Sequence, residues 1–222
     1  MSSKTQVALI TGANTGIGEA VATSLAADHG YHASSVHLDL ADAASISAAA
    51  KAIEAAHGRL DALVNNAGVL LETDPAAASL TLRQRLEATM ATNLFGQADV
   101  TEAVWHLLLR AADAPPRVVF VSSRMGSLVV AQDKGFRFYE GDFRAYDCSK
   151  AALNMLALNY GRMMDGVDGM VNCVCPGVVN TKVSGWQGAT PEVGAERIVQ
   201  MATLGKGGPT KTYSDRNGWI PW

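Results

Sequence analysis

Strands and helices alternate along this sequence, and the alternation predicts an α/β fold with a doubly wound parallel sheet covered on both faces. Three observations carry that prediction. Short apolar or β-branched runs recur between longer, often alanine-rich stretches of helical character. Glycine or proline stands where one kind of segment gives way to the next. The chain of 222 residues is 48% apolar and 18% charged, enough for one domain with a real core and too apolar for disorder.

In chain order, residues 6–11 read as a buried strand closed by glycines, and 16–27 as a helix with Gly30 as its stop. Residues 35–40 read as a second strand, and 43–57 as an alanine-rich helix broken by Gly58. A third strand follows at 60–65, a loop at 68–80, and one or two long helices at 81–111. Residues 117–121 are a β-branched strand, 145–164 a helix, and 170–175 a strand halted by Pro176-Gly177. Thr190 and Pro191 open a last helix to residue 204, and 210–214 is a final strand. Six strands are expected.

The net charge of −3 offers no clustered basic footprint for nucleic acid. Apolar stretches fall short of the roughly 18–20 residues that a membrane span needs, and Met-Ser-Ser-Lys-Thr-Gln shows no signal segment. Cys148, Cys173 and Cys175 are too few for a disulfide framework or zinc site, and Cys173 and Cys175 read as core packing. His106, in an apolar helical stretch, reads as a core or interface residue. A cytoplasmic protein is expected.

The chemistry begins where the first strand runs into Thr11-Gly12-Ala13-Asn14-Thr15-Gly16-Ile17-Gly18 and a helix. Glycines let the backbone approach a pyrophosphate, and the helix N-terminus supplies unpaired N–H groups and partial positive charge. The spacing is G-x-x-x-G-x-G, and a ligand-free glycine turn is its competing reading. Among five tyrosines, only Tyr146 has a lysine four residues on, Lys150, which puts both on one helix face. A nearby ammonium lowers a phenol's pKa from about 10, so Tyr146 is the candidate general acid or base. Ser122 and Ser123 end the strand at 117–121 and so reach the cleft outside the carboxyl ends of the sheet.

These motifs, with Asn65-Asn66-Ala67-Gly68 and Pro176-Gly177, occur in the order that resembles the short-chain dehydrogenase/reductase family over almost the whole chain. Ser214-Asp215-Arg216 and Ile220-Pro221-Trp222 resemble the end of its carbonyl-reductase-like branch. The resemblance implies a single Rossmann-like domain over 1–222, with a nucleotide half at 1–68 and a catalytic and substrate half at 81–222. It selects Ser123, three residues before Gly126, to bond the substrate oxygen, with Ser122 left to a local turn or backbone bond. It implies that Asn93 holds a water linked to Lys150. Gly12, Asn14, Thr15, Gly16, Ile17 and Gly18 would take the pyrophosphate, and Asn66, Ala67 and Gly68 would lie beside the adenine ribose. Pro176, Gly177, Val179 and Thr181 would meet the nicotinamide. Trp186 lies where the family keeps a substrate lid and is expected as an aromatic wall. Residues 125–144 are longer than in simple members and would line the substrate mouth or cover a helix interface. A homodimer or homotetramer is the family's habit.

One part is short. Gly30-Tyr31-His32 resembles the entry to the family's second strand, yet residues 33–40 resemble its third. About twenty to twenty-five residues are missing, one strand-plus-helix unit. Residues 35–40 are therefore expected to take the vacated place beside the first strand. Asp39 serves as the ribose acid by position, and with Leu40 as an adenine contact by local sequence. NAD and NADP both stay open, with the resemblance leaning to NADPH. The reaction expected is NAD(P)-dependent interconversion of a small-molecule carbonyl and secondary alcohol. A cofactor-independent lyase, dehydratase or cyclase, or a non-catalytic binding protein, are the alternatives that the shortening raises.

Overall fold

In the computed structural model, residues 6–112 and 114–222 are described. Six strands form one sheet: β1 (Ala8–Ile10), β2 (Ala62–Asn65), β3 (Arg117–Val121), β4 (Met170–Val174), β5 (Thr212–Asp215) and β6 (Gly218–Trp219). They lie side by side in that same order, parallel from β1 to β5, with β6 antiparallel. The helices are α1 (Gly16–Asp28), α2 (Ala43–His57), α3 (Leu82–Met90), α4 (Gln97–Leu108), α5 (Arg144–Met163) and α6 (Pro191–Ala202).

Successive side chains on a strand point to opposite faces, so β3 feeds two cores. Val118 and Phe120 pack with Leu63, Leu107, Leu153 and Cys173 under α2, α4 and α5. Val119 and Val121 pack with Val64, Val174, Val21 and Ile198 under α1 and α6. Every residue of β2, β3 and β4 is buried, which explains why those strands are mostly apolar, with Asn65, Arg117 and Asn172 as their buried polar members. Gly58, at φ 68°, ends α2 in the left-handed conformation that Gly adopts without Cβ strain. Cys173 and Cys175 are buried in one core, and Cys148 is exposed.

The strand count matches expectation with a different membership. Residues 35–40 form no strand; β6 makes up the six, and β1 is an edge of the sheet. Residues 32–37 are exposed throughout, so a strand there would bury neither face. The chain must also pass from α1 on one face to α2 on the other within this stretch, because α1 packs on α6 and α2 on α4. Buried Tyr31 anchors its start, donating a hydrogen bond to Gln6 Oε1 at 2.6 Å. Leu40 anchors its end on Gly96, where an added Cβ would fall 2.6 Å from the Leu40 carbonyl oxygen.

His106 does not take the core place that was one of its two expected roles. The buried stripe of α4 runs through Val100, Val104, Leu107 and Leu108. His106 points to the other side, exposed and 3.4 Å from Glu54. Between α3 and α4 the chain stays helical through a π-type segment, Ala91–Gly96. Among the described residues no helix is long and apolar enough to cross a membrane, and no His/Cys/Asp/Glu group suits a metal.

Candidate active site

A cleft of about 1140 Å³ opens at the carboxyl ends of the five parallel strands. Its walls hold Gly12, Asn14, Thr15, Gly16 and Ile17 after β1, Asn66, Ala67 and Gly68 after β2, and Ser122 and Ser123 after β3. Pro176, Gly177, Val179 and Thr181 follow β4, and Asp215 ends β5. Asp39 and Leu40 line the same cleft, although no strand carries them.

The glycine turn is fixed by its neighbours. Gly12 and Gly16 have φ values of 66° and 59°. An added Cβ on Gly18 would fall 2.3 Å from the Gly12 carbonyl oxygen and 2.6 Å from Asn66 Nδ2. Thr11 Oγ1 accepts from the backbone N–H groups of Asn66 and Ala67, each at 2.9 Å, and Asn66 Nδ2 donates to the Thr11 carbonyl at 2.9 Å. The first two strand ends are thereby latched together. Helix α1 opens at Thr15 without a side-chain cap, which leaves its first N–H groups and positive end available at the cleft wall. That cradle fits the pyrophosphate of a dinucleotide. Thr181 closes its far side, its Cγ2 lying 3.0 Å from where a Gly16 Cβ would stand.

Tyr146 and Lys150 ride on the first turns of α5. That helix starts at Phe143 without a cap of its own. Glu72, from a distant loop, accepts from the N–H groups of Ala145 at 2.9 Å and Tyr146 at 3.0 Å. Lys150 is buried, donates to the Val121 carbonyl at 2.8 Å, and holds its ammonium 5.6 Å from the Tyr146 ring centroid. Ser123 sits where β3 turns into a 3₁₀ segment, its hydroxyl accepts from Met125 N at 3.3 Å, and it lines the same cleft as Tyr146, whose phenol it pulls toward a lower pKa. Gly126 allows this turn to rest on α5, since its Cβ would lie 2.6 Å from the Lys150 carbonyl carbon. Ser122 is buried and donates to Asn154 Oδ1 at 2.6 Å, a long-range bond in place of the expected local one. Asn154 also donates to the Gly126 carbonyl at 3.1 Å.

Asn93 is fully buried in the π-type segment. Its side chain accepts from Val69 N at 2.8 Å and donates to the Val69 carbonyl at 2.9 Å and to Ser149 Oγ at 3.1 Å. It therefore clamps the loop after β2 to α5, beside Lys150. Trp186 is 69% exposed at φ 64°, and its neighbours Gly185 and Gln187 border the cleft in its stead. Phe136 and Phe138, from the long segment before α5, do line the cleft mouth.

Burial sets the protonation states. It pushes the Tyr146 phenol up from its usual value, with the Ser123 hydrogen bond pulling the other way. Burial also pulls Lys150 down to about 8. Burial is the largest influence on the phenol, while the Lys150 ammonium lies 5.6 Å from the ring centroid and donates to the Val121 carbonyl. Asp147 is pushed up to about 6 by burial and then by the charges of Glu72 and Asp142.

The family model for short chain dehydrogenase matches residues 25–191. The chain belongs to the short-chain dehydrogenase family. Among curated relatives, this short-chain dehydrogenase is 32% identical to short-chain dehydrogenase anuI of Penicillium roqueforti, covering 89% of this chain and 88% of that one. It is 29% identical to carbonyl reductase [NADPH] 1 of Bos taurus, over 92% and 93% of the two chains. Among solved structures, NADPH-bound carbonyl reductase from chicken fatty liver superposes with a TM-score of 0.80, covering 99% of this chain and 100% of that one at 22% identity.

The structure gathers all the expected site residues except Trp186 around one cleft or, for Asn93 and Gly18, directly behind its wall. Sequence reasoning missed Thr11, Glu72, Ser149 and Asn154 as positioning groups. Asn154 carried a signal, since it lies four residues beyond Lys150 on the same helix face. Glu72 carried none.

Proposed function

We propose that this short-chain dehydrogenase interconverts a small-molecule carbonyl and a secondary alcohol, using a nicotinamide dinucleotide. The observation that carries this reading is that Ser123, Tyr146 and a buried Lys150 line one cleft at the carboxyl ends of the strands, with the Lys150 ammonium 5.6 Å from the Tyr146 ring centroid. The residues of the glycine turn would hold the pyrophosphate, Asp39, Leu40, Asn66, Ala67 and Gly68 the adenosine side, and Pro176, Gly177, Val179 and Thr181 the nicotinamide side. When bound, the nicotinamide supplies or accepts the hydride.

Ser123 and Tyr146 together hold the carbonyl oxygen, Ser123 by donating a hydrogen bond as negative charge develops there. Tyr146 then gives its phenolic proton to that oxygen. A phenol held neutral by burial is in the protonation state that carbonyl reduction requires. Lys150 places a positive charge under the ring, which favours the phenolate as the proton leaves. Glu72 and Asn93 position the helix and loop that bring these groups together.

The adenosine end bears on which cofactor is used. Asp39 stands there with Oδ1 engaged by the Ala41 N–H at 2.9 Å, and no Lys or Arg flanks it among the described residues from 37 to 41. A carboxylate supports the unphosphorylated ribose of NADH, against the family's lean to NADPH. Calorimetric titration with both nucleotides decides between them.

For the reaction itself, NAD(P)H oxidation is followed in the near ultraviolet across a carbonyl panel. Tyr146→Phe should lower turnover by about 10²–10⁴-fold. Undiminished turnover in that variant sinks the mechanism.

A further inference from the structure

The cleft of this acidic protein is lined by cations, and three of them are arginines that lie outside the glycine turn. Arg124 follows β3, Arg216 follows β5, and Arg137 lies in the segment before α5. Strands in a sheet are about 4.8 Å apart, so the end of β5 is about 19 Å across the sheet from the end of β1. Arg216 is therefore far from the pyrophosphate cradle and from Asp39. Its charge has no use there.

Nor is that charge consumed by the protein. Arg124 donates twice to Asp215 Oδ2, at 2.9 Å and 2.7 Å, and that is the single carboxylate at this end of the cleft among the described residues. Arg216 and Arg137 are exposed and form no ion pair among the described residues. Arg137 stacks over the Phe138 ring at 5.2 Å. Phe138 in turn meets Phe136 at 5.6 Å and Phe143 at 5.8 Å, both edge to face. All three rings line the cleft. The long segment before α5 thus supplies an aromatic wall with a cation built into it.

Resting on the proposed carbonyl chemistry, we propose that the substrate is an aromatic carbonyl compound that also carries a carboxylate. Its ring lies on the Phe136–Phe138–Phe143 wall, and its carboxylate is met by Arg137 and Arg216. Its carbonyl points to Ser123 and Tyr146.

The test pairs 4-acetylbenzoate, whose ketone would give a secondary alcohol, with its neutral methyl ester. Calorimetry on the wild-type chain should show the acid binding about tenfold more tightly, as expected for a charge-assisted contact in a partly open site. Raising sodium chloride from about 0.05 to about 0.5 M should narrow the ratio, because exposed ion pairs are screened. In the Arg137→Ala/Arg216→Ala double variant the ratio should fall to near one. Equal binding of acid and ester by the wild type, or an unchanged ratio in the double variant, overturns the proposal. Preferential binding of the acid without NAD(P)H oxidation supports the carboxylate site and counts against the reaction instead.

Discussion

Replacing Gly126 by Ala probes how tightly the serine and the tyrosine are held to one another. The new Cβ would stand 2.6 Å from the Lys150 carbonyl carbon, 2.7 Å from its Cβ and 2.9 Å from Ala151 N. Carbon contacts are comfortable at about 3.5–4.0 Å, so the turn carrying Ser123 must part from α5 by about 1 Å. None of the three atoms belongs to a flexible side-chain end, and the bond from Asn154 to the Gly126 carbonyl resists the shift. Overpacking of this kind costs about 1–3 kcal/mol, or a melting temperature lower by about 3–10 °C in a chain of this size. A misplacement of about 1 Å in a reacting constellation costs about 100-fold. The assay is kcat at saturating nucleotide and carbonyl, beside thermal melting and calorimetric nucleotide binding. The expected result is a large fall in kcat with nucleotide affinity little changed. A kcat within about twofold of wild type would refute the argument that this contact sets the Ser123–Tyr146 spacing.

Other perturbations separate the parts of the site. Gly18→Ala drives a Cβ into the Gly12 carbonyl and should abolish nucleotide binding by calorimetry while the chain still melts cooperatively; retained affinity contradicts the cradle. Asp147, raised to about 6 against an unfolded value near 4, makes the folded state lose stability as pH rises through about 4 to 6. Asp147→Asn removes that penalty. Screening of this half-buried carboxylate reduces the gain to about 1 kcal/mol, read as about 2–4 °C at pH 7.5 and vanishing near pH 4. Lys150 shifts the other way: its folded value near 8 lies below the unfolded one, so stability rises with pH between about 8 and 10.5. Melting curves across that window should show the rise in wild type and lose it in Lys150→Met.

The elements and residues legible in the sequence are those whose cause is local. Gly58 stops α2 because only the residue at that position must turn left-handed, and Tyr146 and Lys150 share a face because helical spacing demands it. Gly12 and Gly16 declared a turn for the same reason. Residues 35–40 misled because a strand needs a neighbour and a face to cover, and the alternation of Val36, Leu38 and Leu40 says nothing of either. The core reading of His106 failed because an apolar stretch does not reveal which side of a helix faces the core. The upward push on the Tyr146 phenol was not legible because its largest cause, burial, depends on the whole fold. Glu72 was invisible because its partners, Ala145 and Tyr146, lie more than seventy residues away.

The order of the sheet has a consequence for how the chain is made. Ala8 pairs with Ala62, Ala62 with Arg117, Arg117 with Met170, and Asn172 with Thr212. No strand waits for a later one to be inserted between it and its neighbour. A chain leaving the ribosome can add each strand to the growing edge as it emerges, closing only a loop of moderate length each time. A sheet that reverses direction about its first strand must instead keep two edges open during synthesis. Here only one edge grows, and the outer edge of β1, which no later strand covers, is the surface on which chains could pair with each other.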